Sequence, residues 1–447
     1  MKRISLIPVI LLLVVAIQTT PARAQETIPY RLTLREAIEK GLRANLSVLV
    51  ANAQVEESEG GRTRSFSALL PRVEAQTYAN LQNRNLQAFG ISIPGFPIPA
   101  VVGPFSNYDF RISAEQNVLD LQSYRNWKAS EKAVESSKLD YQDARDLIIR
   151  VVAGLYLEAQ SSDARVEAAQ TRVNDSQALY QLAKSKHDAG TATGVDLLRS
   201  QVQLANDRQA LLAAQNQCKQ SLLILARNLG MSPGTPLELA DPLRYQAPVP
   251  REAESIVPAA LLARSDYLSL ATQRQGLVDQ QRASRARYLP KVSINGNFGE
   301  LGRSIGSVRA TGLIQGTIDF TVFDRDRSGE AQQIASRIQR IDDQIADLRR
   351  GIEQDVRAAL LNIESTSEQV VVAQEGQNLA ERELQLTQDR FRSGVTNNVE
   401  VVTAQDELSR AQENYILAVS TYADATFALA RAAGATEKNI DEYLQKP

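Results

Sequence analysis

The side chains that most often carry catalysis or bind metal ions are almost absent from this chain. Among 447 residues there are one histidine, one cysteine and two methionines. Metal sites with several histidines or cysteines, and catalytic triads that need a histidine, therefore cannot be assembled. Aspartate and glutamate together number 52, but they do not cluster beside loop signals as a carboxylate metal site or a glycosidase pair would require. We predict that the chain is not an enzyme and has no metal or cofactor. The single Cys218 allows no internal disulfide.

Two similar turn segments, 186–196 and 390–400, carry the residues with the clearest functional pattern. In each segment an acid follows a glycine by six positions, as Gly190 with Asp196 and Gly394 with Glu400. At the start of a helix, such an acid stabilises the positive end of the helix dipole. If several copies surrounded one opening, the acids would also form an anionic ring that favours cations. The sequence leaves both roles open.

The elements that must position these turns are long helices. Six stretches consist mainly of helix-favouring residues and contain little glycine or proline, and their apolar residues are spaced three and four apart. They are 33–69, 121–188, 195–229, 257–288, 328–392 and 398–433. The second stretch would be on the order of 100 Å long, more than a compact domain can contain, so we expect coiled-coil packing. A seven-residue repeat is explicit in the third stretch, at Leu197, Leu204, Leu211, Cys218 and Leu225. This pattern predicts that Cys218 is a buried core residue.

The chain contains an internal duplication. An offset of 204 residues superposes the two turns, and a second offset aligns a Leu-Pro step at 70–71 with another at 289–290. At both steps a helix ends and a strand-like pattern begins. The first offset pairs His187 with Phe391, which favours an aromatic packing position over a pH sensor at His187.

The predicted domain organisation follows from this duplication. A first structural repeat at 25–230 has the order helix, two strands, long helix, tip turn, helix, and a second repeat occupies 257–435. The segment 231–256 joins them and is rich in proline, which excludes a continuous helix. A tail follows at 436–447, and 1–24 is predicted to be a signal peptide.

The signal peptide prediction rests on three features of the first 24 residues. Lys2 and Arg3 precede an apolar run at 4–17, and a small-residue cleavage site follows at 22–24. We therefore expect export. The mature chain would carry 47 basic and 52 acidic residues, a net charge of −5, which gives no indication of nucleic-acid binding. After the predicted signal peptide the sequence contains no run of about 18 apolar residues, so no transmembrane helix is predicted.

Four strand-like segments alternate apolar with polar residues. They lie at 73–80, 110–118, 292–298 and 314–322, and each is close to the roughly 10 residues that cross a bilayer as a tilted strand. Half-buried hairpins would show the same alternation, so the strands alone do not decide between the two. Four strands cannot close a barrel, whereas three chains would supply twelve, which points to a trimer. The apolar, glycine- and proline-containing segment 82–106 would pack over a barrel mouth or the membrane surface, or form a buried loop.

The duplicated architecture, the two Leu-Pro steps and the two glycine turns together resemble the TolC-like outer membrane efflux protein family, over essentially the whole mature chain. The resemblance implies a mostly α fold with a small transmembrane β part. Three chains would form a homotrimeric α-barrel of long coiled-coil helices that continues into a 12-stranded outer-membrane β-barrel. It also implies a passive export duct of a tripartite efflux or type I secretion system, located in the outer membrane and extending into the periplasm. Its partners would be outer membrane lipid, a periplasmic adaptor (membrane fusion) protein and an inner-membrane pump of RND or ABC type.

By matched position, the resemblance assigns roles at the tip. Gly190, Thr191, Gly394 and Val395 would contact the adaptor, and Asp196 and Glu400 would line the periplasmic gate. Family members often have an arginine near the second turn that holds the closed gate. Here Thr396 and Asn397 occupy that neighbourhood, so a latch would be weaker or built from Arg390 and Arg392.

Another class of function competes with the export duct, namely a periplasmic coiled-coil adaptor or structural protein. An adaptor would need a lipoyl-like or barrel domain around a single helical hairpin, and this sequence has two hairpins and no such domain. A filament protein would not need strands with one oily and one wet face. The sequence does not identify the exported substrate or distinguish an RND from an ABC partner pump.

Overall fold

The structure is a computed structural model that describes residues 29–90, 95, 99–247, 251–434 and 436–437. The predicted signal peptide at 1–24, parts of the apolar segment 82–106 and nearly all of the predicted tail lie outside the described residues.

Eight α-helices make up most of the described chain. They are α1 Leu34–Ala44, α2 Leu46–Ser67, α3 Leu121–Asp188, α4 Gly194–Asn228, α5 Ala253–Ala263, α6 Ser265–Ala286, α7 Asp326–Arg392 and α8 Asn398–Ala432. The two longest, α3 and α7, have 68 and 67 residues, so each spans about 100 Å at 1.5 Å per residue. None of the helices in the described part of the chain has the length and hydropathy needed to cross a membrane.

The prediction of single helices at 33–69 and 257–288 is wrong, because each stretch is interrupted by one extended residue. Asn45 has φ −70° and ψ 131°, and its side chain accepts a hydrogen bond from the Ser47 N–H, so it caps the start of α2. Arg264 breaks the other stretch with the same extended conformation, φ −67° and ψ 118°, but its side chain does not cap α6. The spacing of apolar residues continues across both breaks, which is why the pattern did not reveal them.

The strands form two separate sheets. They are β1 Tyr30–Leu32, β2 Arg72–Asn85, β3 Val101–Leu119, β4 Leu237–Leu239, β5 Lys291–Gly302 and β6 Arg309–Asp319. The larger sheet has the order β2-β3-β5-β6 with antiparallel pairing throughout, and β1 pairs in parallel with β4. The β1–β4 pair was not predicted, and β3 begins within the segment 82–106 that was expected to be a loop.

The larger sheet has one apolar and one polar face. Register pairs Ile112 with Phe298 and Ile294 with Gly316, so the apolar residues of neighbouring strands share a face. The large side chains of this face are exposed to an unusual degree, with 85% of Ile314 accessible. Such an extended exposed apolar surface is typical of a surface that another apolar phase or another chain covers.

The main hydrophobic core lies where α1, α3 and the β1–β4 pair meet. Tyr156 of α3 is buried there, and its hydroxyl donates to the Leu32 carbonyl oxygen and to the Asp241 carboxylate, each at 3.0 Å. Asp241 also accepts the Leu34 N–H at 2.7 Å. Burial raises the pKa of the Tyr156 hydroxyl, so it stays a hydrogen-bond donor. These bonds fix the connector segment against α3.

The long helices pack side by side in two tiers. α3 contacts α2 and α6 near its start, and it contacts α4 and α8 from its middle to its end, while α7 contacts α6 and α8. The turns α3–α4 and α7–α8 therefore lie together at the end of the helices farthest from the larger sheet.

Cys218 is buried, as predicted, and burial raises the pKa of its thiol.

Candidate functional site

The first tip turn, between α3 and α4, is closed by backbone hydrogen bonds. The Gly190 N–H donates to the His187 carbonyl oxygen at 2.9 Å, and the Thr191 N–H donates to that of Lys186 at 2.8 Å. Gly190 has φ 71°, a left-handed conformation that favours glycine at a helix C-terminus. The glycine of the predicted motif is therefore required to end the helix.

The second tip turn, between α7 and α8, repeats this geometry. Gly394 has φ 75°, and its N–H donates to the Phe391 carbonyl oxygen at 3.2 Å. The Val395 N–H donates to the Arg390 carbonyl oxygen at 2.9 Å. The four residues predicted to contact an adaptor, Gly190, Thr191, Gly394 and Val395, all lie exposed in these two turns.

Asp196 caps its own helix. Its carboxylate accepts hydrogen bonds from the Thr193 N–H at 3.2 Å and the Thr193 hydroxyl at 2.6 Å, while the Asp196 N–H donates back to the Thr193 hydroxyl oxygen. This is a capping box at the start of α4. Arg199 lies 3.6 Å from the same carboxylate, of which 17% is exposed. The helix-dipole role considered from the sequence thus has a direct structural counterpart.

Glu400 is more exposed and has a different partner. Its carboxylate lies 3.3 Å from the guanidinium of Arg390, and 47% of the side chain is accessible. This ion pair joins the last turn of α7 to the first turn of α8. Of the two arginines considered as a latch, only Arg390 reaches a predicted gate acid, because Arg392 pairs with Asp389 of its own helix at 3.2 Å.

Two tip residues that the sequence analysis did not single out connect the two repeats. The Lys186 ammonium of α3 donates to the Phe391 carbonyl oxygen at 2.5 Å and lies 4.5 Å from the centre of the Phe391 ring. The Asn398 side chain, fully buried at the start of α8, donates to the Asp196 carbonyl oxygen at 3.1 Å. A signal for Lys186 was available, since the 204-residue offset pairs it with Arg390.

His187 and Phe391 occupy equivalent positions in different surroundings. Phe391 is buried against Leu384 and Val401, whereas 43% of the His187 side chain is exposed and lies 3.6 Å from Asp188. The aromatic packing expected of His187 from its repeat partner is therefore found only at Phe391.

The tip holds ion pairs and helix caps, and nothing there has the arrangement of a catalytic or metal centre. Within the described ranges, no group of three or more histidine, cysteine, aspartate or glutamate residues could hold a metal ion. The chemistry available to this site is the making and breaking of electrostatic contacts between neighbouring helix ends.

Comparison with characterised relatives agrees with this architecture. A sequence profile described as "Outer membrane efflux protein" matches residues 37–231 and 256–435. The chain is 24% identical to the pyoverdine export outer membrane protein OpmQ of Pseudomonas putida, over 74% of this chain and 71% of that protein. It is 23% identical to the toluene efflux pump outer membrane protein TtgC of Pseudomonas putida, over 86% of this chain and 79% of the relative.

Solved structures show the same fold. The Campylobacter jejuni CmeC outer membrane channel superposes with a TM-score of 0.76 at 16% identity, covering 92% of this chain and 89% of that one. The outer membrane protein VceC of Vibrio cholerae gives a TM-score of 0.76 at 15% identity, covering 90% of this chain and 96% of the other.

These findings confirm the resemblance seen in the sequence, the mostly α fold with a small β part, and the prediction that the chain is not an enzyme. They favour an export channel over a periplasmic adaptor or structural protein. Because the profile matches both halves of the chain, this protein belongs to the outer membrane efflux protein family.

Proposed function

We propose that three copies of this chain form a passive export duct, with a 12-stranded barrel in the outer membrane and a helical barrel in the periplasm. The proposal rests on the family, and on relatives named for pyoverdine export and toluene efflux. The observation that carries it is the four-stranded sheet with one continuous exposed apolar face. In one chain the outer strands β2 and β6 pair on one side only among the described residues, and three sheets joined edge to edge would leave no free edge.

The helices also present unpartnered edges that fit a second copy. On α4, four exposed apolar residues are separated by four residues or by sums of threes and fours: Leu198, Val202, Leu212 and Leu223. On α7, four more are spaced in the same way: Leu361, Val372, Leu379 and Leu386. Both rows have the spacing of a coiled-coil seam. Four helices reach the tip turns, and α3 and α8 lie between α4 and α7. Since α4 and α7 are therefore the outer helices of this group, we propose that α4 of one copy packs on α7 of the next.

Charge along these two edges supports the same pairing. Lys219 is 25 residues beyond Gly194 and Glu368 is 24 residues before Arg392. At 1.5 Å per residue both lie about 37 Å above the tip. Both are exposed, so an antiparallel α4–α7 contact between copies would bring opposite charges together.

We further propose that each chain consists of two structural repeats and that the tip of the duct is its regulated end. The repeats would be 25–230 and 257–435, joined at 231–256. The turns bearing Gly190, Thr191, Gly394 and Val395 would receive a periplasmic adaptor, which links the duct to an inner-membrane pump of RND or ABC type. Each turn is exposed and rigidly closed by backbone hydrogen bonds, as a docking surface requires.

At the tip, we propose that Asp196 and Glu400 line the gate and that Arg390 latches it. The ion pair between Arg390 and Glu400 is exposed and lies at the helix ends, so it can break while Phe391 stays packed against Leu384 and Val401. Arg392 is the weaker latch candidate, because its partner Asp389 is on the same helix.

The decisive experiment is planar-bilayer conductance of the purified mature protein beside an Asp196→Asn, Glu400→Gln double variant, with salt gradients that give the ion preference. We expect stepwise current in both proteins and a smaller cation preference in the variant. Absence of current from demonstrably inserted protein would overturn the duct.

A Lys219→Glu variant should form fewer trimers on crosslinking, and adding Glu368→Lys should restore them. Failure of the second change to restore trimers would overturn the α4–α7 contact.

A further inference from the structure

The end of the larger sheet farthest from the helices carries an excess of arginine on its polar face. Two connections form this end, between β2 and β3 and between β5 and β6. Under the proposed function it opens to the cell exterior. One cross-strand row near it contains Tyr78, Asp109, Leu301 and Arg309, each paired with the next in register.

Three arginines at this end belong to the polar face. Side chains alternate between the two faces along a strand, so Arg309 lies on the same face of β6 as Gln315 and on the face opposite to the exposed apolar Ile314. Arg84 lies six residues after Tyr78 on β2 and so on the same face, where the Tyr78 hydroxyl donates to the Asp109 carboxylate.

The third arginine is Arg303, in the turn after β5. Its guanidinium lies 5.8 Å from the centre of the Phe105 ring. Phe105 has the strand parity of Asp109, so this contact is also made on the polar face.

The one acid of the polar face at this level is already neutralised. Asp109 accepts hydrogen bonds from the Tyr78 hydroxyl at 3.0 Å and from the Arg111 guanidinium at 2.9 Å, and only 3% of its side chain is exposed. Arg111 is therefore balanced by Asp109. Among the described residues, neither Arg84 nor Arg309 has an acidic side chain within ion-pair distance.

The remaining acid near this end lies on the other face. Glu300 pairs in register with Phe110 and Ala310, which have the parity of the apolar face. The sequence 82–106 contains Arg84 and no acid at all. Three positive charges per chain therefore stand without balance at the far end of the polar face.

The opposite end of the same face carries both signs of charge. Glu115 lies opposite Arg72 in register, and Asp319 lies opposite Lys291. Arg72 also pairs with Glu74, and Lys291 lies 3.5 Å from Asp120. On the described strands, positive charge without a neighbouring acid is therefore concentrated at the far end of the polar face.

We propose that the outer mouth of this duct is a cationic ring, formed by Arg84, Arg303 and Arg309 of three copies, that binds multivalent anions. This inference rests on the proposed trimeric duct and assigns a ligand class to its exit, namely molecules that bear several carboxylate or phosphate groups. Guanidinium groups bind such groups through paired hydrogen bonds. A ring of like charges in a confined opening also concentrates counter-ions. At physiological salt the field of each charge extends about 8 Å before it is largely screened.

The test uses inositol hexakisphosphate as a soluble multivalent anion in planar bilayers of neutral phosphatidylcholine. The long helices cannot enter the bilayer, so protein added to one compartment inserts with its mouth facing the other. We expect the anion to block current from the mouth side, and an Arg84→Gln, Arg309→Gln double variant to need at least ten times more of it. The matched control is an Arg72→Gln, Lys291→Gln double variant, which removes two positive charges from the other end of the same face and should be blocked like the wild type.

A charge-preserving Arg84→Lys, Arg309→Lys variant separates charge from folding and should keep most of the block. Equal block of wild type and the glutamine variant, or equal block from both sides, would overturn the ring. Block that appears only after lipopolysaccharide is added to the bilayer would also overturn it, by assigning these arginines to lipid phosphates. Absence of conductance from the inserted wild type would instead overturn the duct itself, so the two failures are distinguishable.

Discussion

The Lys186 ammonium lies 2.5 Å from the carbonyl oxygen of Phe391, a residue 205 positions away at the end of another helix. This contact joins the last turn of α3 to the last turn of α7. A positive charge at a helix C-terminus is stabilised by the unpaired carbonyl groups and by the helix dipole. The two tip turns are thereby held to one another within a single chain.

Replacing Lys186 with methionine should loosen the tip. The substitution keeps much of the side-chain volume but removes a charge-assisted hydrogen bond, worth about 1.5–3 kcal/mol. We expect a higher open fraction of channels in planar bilayers, with trimers retained on crosslinking. The control is Lys184→Met, which removes an exposed charge two residues earlier. Equal open fractions in the two variants would show that the Phe391 contact does not restrain the gate.

The Arg390–Glu400 pair should behave as a latch whose energy is modest, because both side chains are about half exposed. Exposed pairs contribute roughly 0.2–1 kcal/mol, so Glu400→Gln should raise the open fraction only a few-fold. Reversing both charges, as Arg390→Glu with Glu400→Arg, should restore the wild-type fraction. A double variant that opens more than either single variant would contradict the latch.

The two faces of β6 should respond oppositely to the same change. Ile314→Arg places a charge on the apolar face and should destabilise the membrane-inserted state by about 2–4 kcal/mol if it lies near mid-bilayer. Gln315→Arg, on the neighbouring residue of the polar face, should have little effect. The measurement is denaturant-induced unfolding from lipid vesicles. Equal losses would contradict a lipid-facing role for this apolar face.

Asp146 should make stability depend on pH. Burial raises its pKa to about 6, an effect that Arg431 partly opposes, and its carboxylate accepts the Glu437 N–H at 3.2 Å. A buried acid whose pKa is higher in the folded chain than in the unfolded chain destabilises the folded state when it is ionised. Below pH 3.8, the pKa in the unfolded chain, this destabilisation is absent, and it develops as the pH rises to about 6. Asp146→Asn should therefore gain up to about 3 kcal/mol over the wild type at pH 7, with the difference vanishing near pH 4.

The measurement for Asp146 is thermal unfolding followed by circular dichroism at several pH values. Asp140→Asn, at an exposed position of the same helix, controls for the loss of one negative charge. A stability difference between Asp146→Asn and wild type that stays constant from pH 4 to pH 7 would contradict the prediction.

Local patterns in the sequence were sufficient for the large elements of this fold. The long helices follow from apolar spacing, the strands from alternation, and the two tip turns from glycine followed by an acid. These signals are local because each depends on the periodicity of one helix or strand or on the conformational freedom of one residue. The helix breaks at Asn45 and Arg264 escaped detection because the apolar pattern runs through them.

Only the tertiary structure decided which charges meet. The sequence could place Asp196 and Glu400 at equivalent positions, but their partners differ because Asp196 is held by Thr193 of its own capping box, whereas Glu400 is reached by Arg390. Lys186 is equivalent to Arg390, yet it bonds to the end of α7. Ion pairs and buried hydrogen bonds depend on distances between elements far apart in the chain, and no periodicity within one helix specifies those distances.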